Sequence, residues 1–290
     1  MLADEPAPRV PPCTEAELDA LARLCRGRRV VVLSGAGCST ESGIPDYRGD
    51  GTRARARNPI RFSTYVDDAG ARARYWARAM IGWPKLRAAR PNPAHQALAA
   101  LEQAGAITAV ITQNVDRLHQ AAGSREVIEL HGALAEVRCL RCDAIEARDA
   151  LQARLQALNP GWLEHDAALA PDGDADLEVS LADSLADFTV ADCRRCAGLL
   201  KPNVVFFGEQ VPQARVDRAY AQVADAERLL VLGSSLAIFS GLRFVKRAVQ
   251  GGVPVAIVNV GPTRADAQAA LKLEARLGEL LPRLERRLVG

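Results

Sequence analysis

A chain of 290 residues, 49% apolar and 25% charged, can bury one large domain with a smaller one beside it, and its composition is that of an ordinary globular protein. A net charge of +2 with no basic block argues against phosphate-driven nucleic-acid binding, and no long apolar run is present to span a membrane. Of seven cysteines, four lie in two CxxC pairs, which in a chain without an export signal favours metal ligation over disulfides. The expected compartment is a reducing one: the cytoplasm, or the mitochondrial matrix in a cell that has one.

Residues 1–13 are proline-rich and lack the apolar core and cleavage site of a signal peptide, so they read as a disordered lead-in. Thr14 and Glu17 then make a capping box that opens a helix carrying Leu18, Leu21 and Leu24 and closing near Gly27. The run 30–33 is apolar and β-branched throughout, as a strand buried on both faces requires. Similar runs recur at 107–111, 127–130, 229–232 and 255–258, with helical stretches at 93–104, 214–226 and 242–249 between them. Strands alternating with helices predict an α/β fold built on a doubly wound parallel sheet. Residues 135–200 break the rhythm: they hold both CxxC pairs and the turn-rich Ala170-Pro171-Asp172-Gly173-Asp174. They read as a small metal-stapled domain inserted between the two halves, 14–134 and 201–290, of the larger one. The arginine-rich stretch 52–61 is expected to be a mobile connection.

Gly35-Ala36-Gly37 follows the first strand directly, where glycines let backbone N–H groups approach a pyrophosphate; a tight turn alone would use the same residues. A dinucleotide-dependent dehydrogenase would carry a third glycine where Thr40 stands and an acidic strand end about 20 residues on, where this chain has an arginine-rich run. Hydride transfer therefore loses ground. A capped helix start accounts for Ser39 and Thr40, but not for Ile44-Pro45-Asp46-Tyr47-Arg48, which sets a carboxylate and a guanidinium beside the presumed phosphates.

After the strand 107–111, Gln113, Asn114 and Asp116 offer the paired donors and acceptors that a ribose and a carboxamide need, at the carboxyl end of a strand where open α/β sheets bind ligands. The plain alternative is an Asx-type turn. His131, with Gly132 behind it, ends the next strand and is a candidate general base, because imidazole titrates near neutrality. His95 and His165 are expected to be structural. Cys139, Cys142, Cys193 and Cys196 supply four thiolates, enough to close a tetrahedral zinc site with no open position. The intervening loop of about fifty residues adds little closure cost. A redox CxxC is the rival reading.

Taken in order, these segments resemble the sirtuin family over roughly residues 15 to 288. The matching motifs are Gly35-Ala36-Gly37, Ser42-Gly43-Ile44-Pro45-Asp46-Tyr47-Arg48, Pro91-Asn92-Pro93-Ala94-His95, Thr112-Gln113-Asn114-Val115-Asp116, His131-Gly132 and both CxxC pairs. They continue through Lys201-Pro202-Asn203-Val204-Val205-Phe206-Phe207-Gly208-Glu209, Gly233-Ser234-Ser235 and Asn259-Val260-Gly261. Tyr75-Trp76-Ala77-Arg78, Gly82-Trp83-Pro84, Ala170-Pro171-Asp172-Gly173-Asp174 and Gly261-Pro262-Thr263-Arg264 look like the class II branch. Tyr47 stands where most members have Phe, Cys38 fills an aliphatic slot, and Asn203 replaces a common Asp.

The resemblance implies a Rossmann-like domain with a zinc-binding insertion, NAD as cosubstrate across the sheet's carboxyl edge, and one structural zinc ion. Gly35, Ala36, Gly37, Arg48, Gly233 and Ser234 would surround the phosphates, and Asn259 and Val260 the adenosine. Ile44, Asp46, Asn114 and Asp116 would hold the nicotinamide carboxamide. Thr40, Pro45, Tyr47, Gln113, Val115, Ser235, Gly261 and Leu277 would complete the NAD contacts. The implied reaction is NAD-dependent deacylation of lysine in proteins or peptides: the acyl oxygen attacks the ribose C1′, His131 accepts a proton through the ribose hydroxyls, and nicotinamide and O-acyl-ADP-ribose leave. Val205, Phe206 and Gly208 would pair with the substrate backbone as an added strand, and Tyr75 and Arg78 would meet an acidic acyl end; the plain alternative is that Tyr75 and Trp76 pack the helix while Arg78 pairs with an acidic neighbour or reaches solvent. The competing activities are mono-ADP-ribosyl transfer at the same site and non-catalytic NAD binding. A monomer without nucleic-acid or membrane partners is expected.

Overall fold

The computed structural model describes residues 10, 12–46, 59–164, 167–170, 173–175 and 187–290. Most of the lead-in, Tyr47, Arg48, residues 52–58, His165, Pro171 and Asp172 lie outside the described residues. Thr14 caps α1 (Glu15–Cys25) reciprocally: its Oγ1 accepts from Glu17 N at 3.3 Å, while Glu17 Oε2 accepts from Thr14 N at 2.9 Å. Gly27 follows at φ 64°, closing the helix where the sequence places its end.

The strands β1 (Val30–Ser34), β2 (Ile107–Thr112) and β3 (Val127–Glu129) precede three that form a separate sheet, β4 (Gly132–Cys139), β5 (Ile145–Ala147) and β6 (Leu200–Val204). The main sheet then resumes with β7 (Arg228–Leu232), β8 (Val255–Val258) and β9 (Leu271–Leu273). Its order is β3-β2-β1-β7-β8-β9, with every neighbouring pair parallel. Strand order reverses between β1 and β7, which opens a crevice at their carboxyl ends. Only β9 has no counterpart in the sequence reading; three residues, Leu-Lys-Leu, are too few to show a period.

β1 explains its own composition. Val30 and Val32 face a core shared with α1, α4 (Pro93–Gln103) and α9 (Leu277–Val289). Val31 and Leu33 face the opposite core, under α7 (Gln213–Asp225) and α8 (Phe239–Gln250). Side chains alternate along a strand, so a strand buried on both sides must be apolar at every position.

The small sheet runs β5-β4-β6, antiparallel, with α6 (Arg148–Leu158) packed on it. Its apolar cluster also draws in α2 (Phe62–Asp67) and α3 (Ala69–Ala88), through Tyr65, Tyr75, Trp76 and Met80. The packing unit thus reaches beyond residues 135–200 on both sides. The aromatic positions of α2 and α3 give no sign in the sequence of which core they enter. Among the described residues no helix is long and apolar enough to cross a membrane.

Candidate active site

The candidate cofactor segments all follow strands of the main sheet: 35–46 follow β1, 113–116 follow β2, 233–235 follow β7 and 259–261 follow β8. The fold thereby gathers four separate sequence segments, with His131 just past β3, along one carboxyl edge.

The glycines of the first loop join it to the loop after β7. Gly35 N donates to Leu232 O at 3.0 Å and Gly37 N to Gly233 O at 2.9 Å, so these two N–H groups tie the β1 loop to the β7 loop. A Cβ on Gly37 would sit 2.9 Å from Gly233 Cα; the absent side chains allow two loops to touch at the switch point. Two short 3₁₀ turns follow, at Ala36–Cys38 and Thr40–Ser42, and Thr40 Oγ1 donates to Gly37 O at 3.1 Å. Ile44 is buried, its N–H bonded to Ser39 O at 3.3 Å.

Ser39 joins this loop to the β2 loop. Its Oγ donates to Asp116 Oδ2 at 2.7 Å and accepts from Asn114 Nδ2 at 3.0 Å. Asp116 Oδ1 accepts from Leu118 N at 2.9 Å. Burial raises the Asp116 carboxyl above the usual range, opposed by the bonds from Leu118 and Ser39. The Asx-type turn offered as the plain alternative is therefore present, and the same carboxylate also reaches the first loop. Gln113 Nε2 donates to Ser234 Oγ at 2.8 Å, and Val115 O accepts from Leu134 N at 2.9 Å. Asn259 turns inward, donating from Nδ2 to Val260 O at 2.8 Å and Gly261 O at 3.1 Å. Leu277 starts α9 with its side chain buried in the core.

His131 lies between the two sheets. Leu130 N donates to Thr112 O at 3.0 Å and Val205 N to His131 O at 2.8 Å, so the backbone is held from both sides. Gly132 has φ 82°, and a Cβ there would fall 2.0 Å from Asn203 O; glycine alone lets the chain pass to β4 behind the histidine. His131 Nδ1 is 2.9 Å from Gln113 O. A carbonyl only accepts, so this network assigns the proton to Nδ1 and leaves the in-plane lone pair on Nε2, the form a proton acceptor needs. Burial lowers the imidazole pKa, with Arg215 acting in the same direction and the Gln113 bond opposing, which keeps the ring neutral.

His95, expected to be structural, is fully buried. With His119 and Cys38 it forms a fully buried group beneath the first loop, one donor atom of each within 4.8 Å of the others. Its Nδ1 accepts from Asn92 N at 3.3 Å, and His119 Nε2 meets Ser34 Oγ at 2.8 Å. Burial takes the two rings down to about 4 and about 3, and His95 adds to the lowering at His119.

The four zinc-candidate sulfurs converge within 4.8 Å, carried by the end of β4 and the loop before β6. Cys139 and Cys196 sulfurs are 3.5 Å apart and those of Cys142 and Cys193 3.8 Å, far beyond a disulfide bond. Zn–S bonds of about 2.3 Å in a tetrahedron place sulfurs about 3.8 Å apart, so the donor set and its spacing fit zinc. Cys13, Cys25 and Cys38 are buried free thiols.

Tyr75 and Phe206 come together, ring centroids 5.3 Å apart, with Tyr65 against both. Arg78 Nε donates to Ala175 O at 2.9 Å. The Val205–Phe207 backbone is partly engaged within the chain: Phe206 N donates to Glu209 Oε2 at 2.7 Å and Phe62 N donates to Phe207 O at 2.9 Å. Gly208 follows at φ 91°. Sequence reasoning missed two residues in this neighbourhood. Ser39 reads from the sequence only as a helix cap, and Ser240, whose Oγ is 2.8 Å from His131 Nε2, carries no motif signal.

A model of the Sir2 family matches residues 35–240. An NAD-dependent protein deacetylase of Bordetella bronchiseptica is 51% identical over 267 residues, covering 92% of this chain and 96% of its own length. Among solved structures, a Sir2 protein with a p53 peptide and NAD+ is 34% identical with a TM-score of 0.71, covering 92% of this chain and 96% of that one. A Sir2 protein bound to a propionylated peptide is 31% identical with a TM-score of 0.73, covering 94% and 100%.

Proposed function

This chain belongs to the Sir2 family, and from that premise we propose that it is an NAD-dependent protein lysine deacylase in which His131 is the general base. The observation that carries the role of His131 is its tautomer: Nδ1–H is committed to Gln113 O, which leaves the Nε2 lone pair as the proton-accepting atom at the sheet's carboxyl edge. NAD, as cosubstrate, supplies a ribose carbon whose bond to nicotinamide can be exchanged for a bond to the acyl oxygen. The chain's own contribution is to bind, orient and accept a proton. Ser39 fixes Asn114 and Asp116 relative to the first loop, which supports their assignment to the carboxamide. The touching loops at Gly37 and Gly233 support a pyrophosphate site at the switch point.

The four-cysteine group would hold zinc as a closed structural ion, pinning β4 to the strand β6 that returns to His131. The bacterial relatives support a cytoplasmic enzyme. The ring of Tyr75 against Phe206 supports an apolar passage for the acyl chain, and the segment Tyr75-Trp76-Ala77-Arg78 is among the motifs that favour the class II branch. Mono-ADP-ribosyl transfer remains the second reading, since it draws on the same ribose carbon. The deciding experiment measures nicotinamide release from NAD with and without an acetylated peptide and weighs the peptide by mass spectrometry. Loss of the acyl group is expected; gain of ADP-ribose would replace this reading with the second, and no release in either case would refute both.

A further inference from the structure

The Nε2 lone pair of His131 is occupied within the protein. Its 2.8 Å neighbour is Ser240 Oγ, on the first turn of α8. Because Nδ1 carries the ring proton toward Gln113 O, the hydroxyl is the donor and Nε2 the acceptor. The next residue, Gly241, seats the same turn against Gln113: a Cβ there would lie 2.5 Å from Gln113 Oε1. Gln113 in turn is fastened through Nε2 to Ser234 Oγ. One helical turn therefore governs both ring nitrogens, Nε2 directly through Ser240 and Nδ1 through the residue whose carbonyl holds it.

An imidazole nitrogen has one lone pair in the ring plane. It cannot accept from Ser240 and from a substrate hydroxyl together. If His131 takes a proton through Nε2, the Ser240 bond has to break first. We propose that Ser240 is a positioning residue that latches the base: its hydroxyl holds the ring plane and occupies Nε2 of His131 in the nucleotide-free enzyme and yields Nε2 to a sugar hydroxyl when NAD binds. The latch rests on the reading of His131 as general base. It ties exposure of the base to arrival of the cosubstrate, at the expense of one hydrogen bond taken from binding.

The expected effects follow from that exchange. Ser240→Ala removes the bond that NAD must break, so NAD binds about two- to tenfold more tightly, the worth of one net hydrogen bond. His131 in the free enzyme becomes several-fold more reactive toward diethyl pyrocarbonate, which attacks a bare imidazole nitrogen. Ser240→Thr keeps the hydroxyl and behaves as the parent in both assays. Calorimetric titration with NAD alone and carbethoxylation of His131 followed by peptide mapping read these without turnover, and thermal melting verifies that each variant is folded. Unchanged affinity and unchanged His131 reactivity in a folded Ser240→Ala protein would overturn the latch. Weakened NAD binding would overturn it too, by making Ser240 a direct contact of the cosubstrate. If the parent protein itself binds no NAD, the functional reading fails, which is a separate outcome.

Discussion

Ser39→Ala tests the join between the two loops that hold the candidate carboxamide site. The substitution removes the 2.7 Å donor to Asp116 Oδ2 and the acceptor for Asn114 Nδ2, while Asp116 keeps the bond from Leu118 N. A hydrogen bond to an ionised group is worth about 1.5–3 kcal/mol, and the low end applies because Asp116 is only partly buried. A neutral bond in the same place is worth about 0.5–1.5 kcal/mol. The cost should therefore depend on pH. Burial raises the folded-state pKa of Asp116, so this group's contribution to stability falls as pH rises from the unfolded value through the folded one. Removing Ser39 raises that pKa further and deepens the fall. Urea unfolding of parent and variant should show a difference of about 1.5 kcal/mol at pH 8 that shrinks toward about 0.5 kcal/mol near pH 4. A difference that is the same at both pH values, or absent at pH 8, would mean that Ser39 does not donate to a charged Asp116.

Metal analysis should find one zinc per chain; Cys142→Ala should lose it and lower the melting temperature, while Cys25→Ala should retain it, because Cys25 is buried in the other domain's core. His131→Ala should abolish deacylation with zinc content intact. With burial holding the His131 pKa below its usual 6.5, the acid limb of the kcat/KM profile should lie below about pH 6.5; a limb above that value would place the base elsewhere. Arg78→Met should cut turnover of a succinylated peptide about tenfold while sparing the acetylated one, since a guanidinium is worth most to a buried carboxylate. Equal effects on both peptides would leave Arg78 as the tie to Ala175 O that the structure shows.

The main sheet was legible because its strands are buried on both faces. Val30–Ser34 must be apolar at nearly every position, and an unbroken apolar run that short, ending in a glycine-rich turn, fits a doubly covered strand better than a helix. The cysteine site was legible for a different reason: four thiolates in two matched pairs are chemically specific wherever the fold puts them. Two other kinds of feature were hidden. The packing of Tyr75 and Trp76 against the small sheet depends on which core a helix meets, and a sequence does not encode that at short range. Ser39 and Ser240 were hidden because a serine carries no signal until a partner from a distant segment stands within hydrogen-bond reach; those partners are 77 and 109 residues away.

The same geometry explains why the four-cysteine group and the proposed base His131 belong to one folding problem. His131 is followed at once by β4, whose far end carries Cys139, and β4 pairs with β6, whose continuation at Val205 bonds back to His131 O. The backbone of the histidine is thus one corner of a closed loop of hydrogen bonds, with the cysteine group at the opposite corner. Gly132, which permits the turn, faces Asn203, and Asn203 Nδ2 donates to Glu136, which also accepts from Arg117 at 2.6 Å in the β2 loop. Loosening the cysteine end would therefore free the strand that fixes His131 while leaving the ring's contacts to Gln113 and Ser240 intact, since these come from the other sheet and from α8. Backbone position and ring orientation are set by different parts of the chain. Loss of zinc should accordingly weaken catalysis by displacing the base, and loss of Ser240 should change the availability of a base that stays in place.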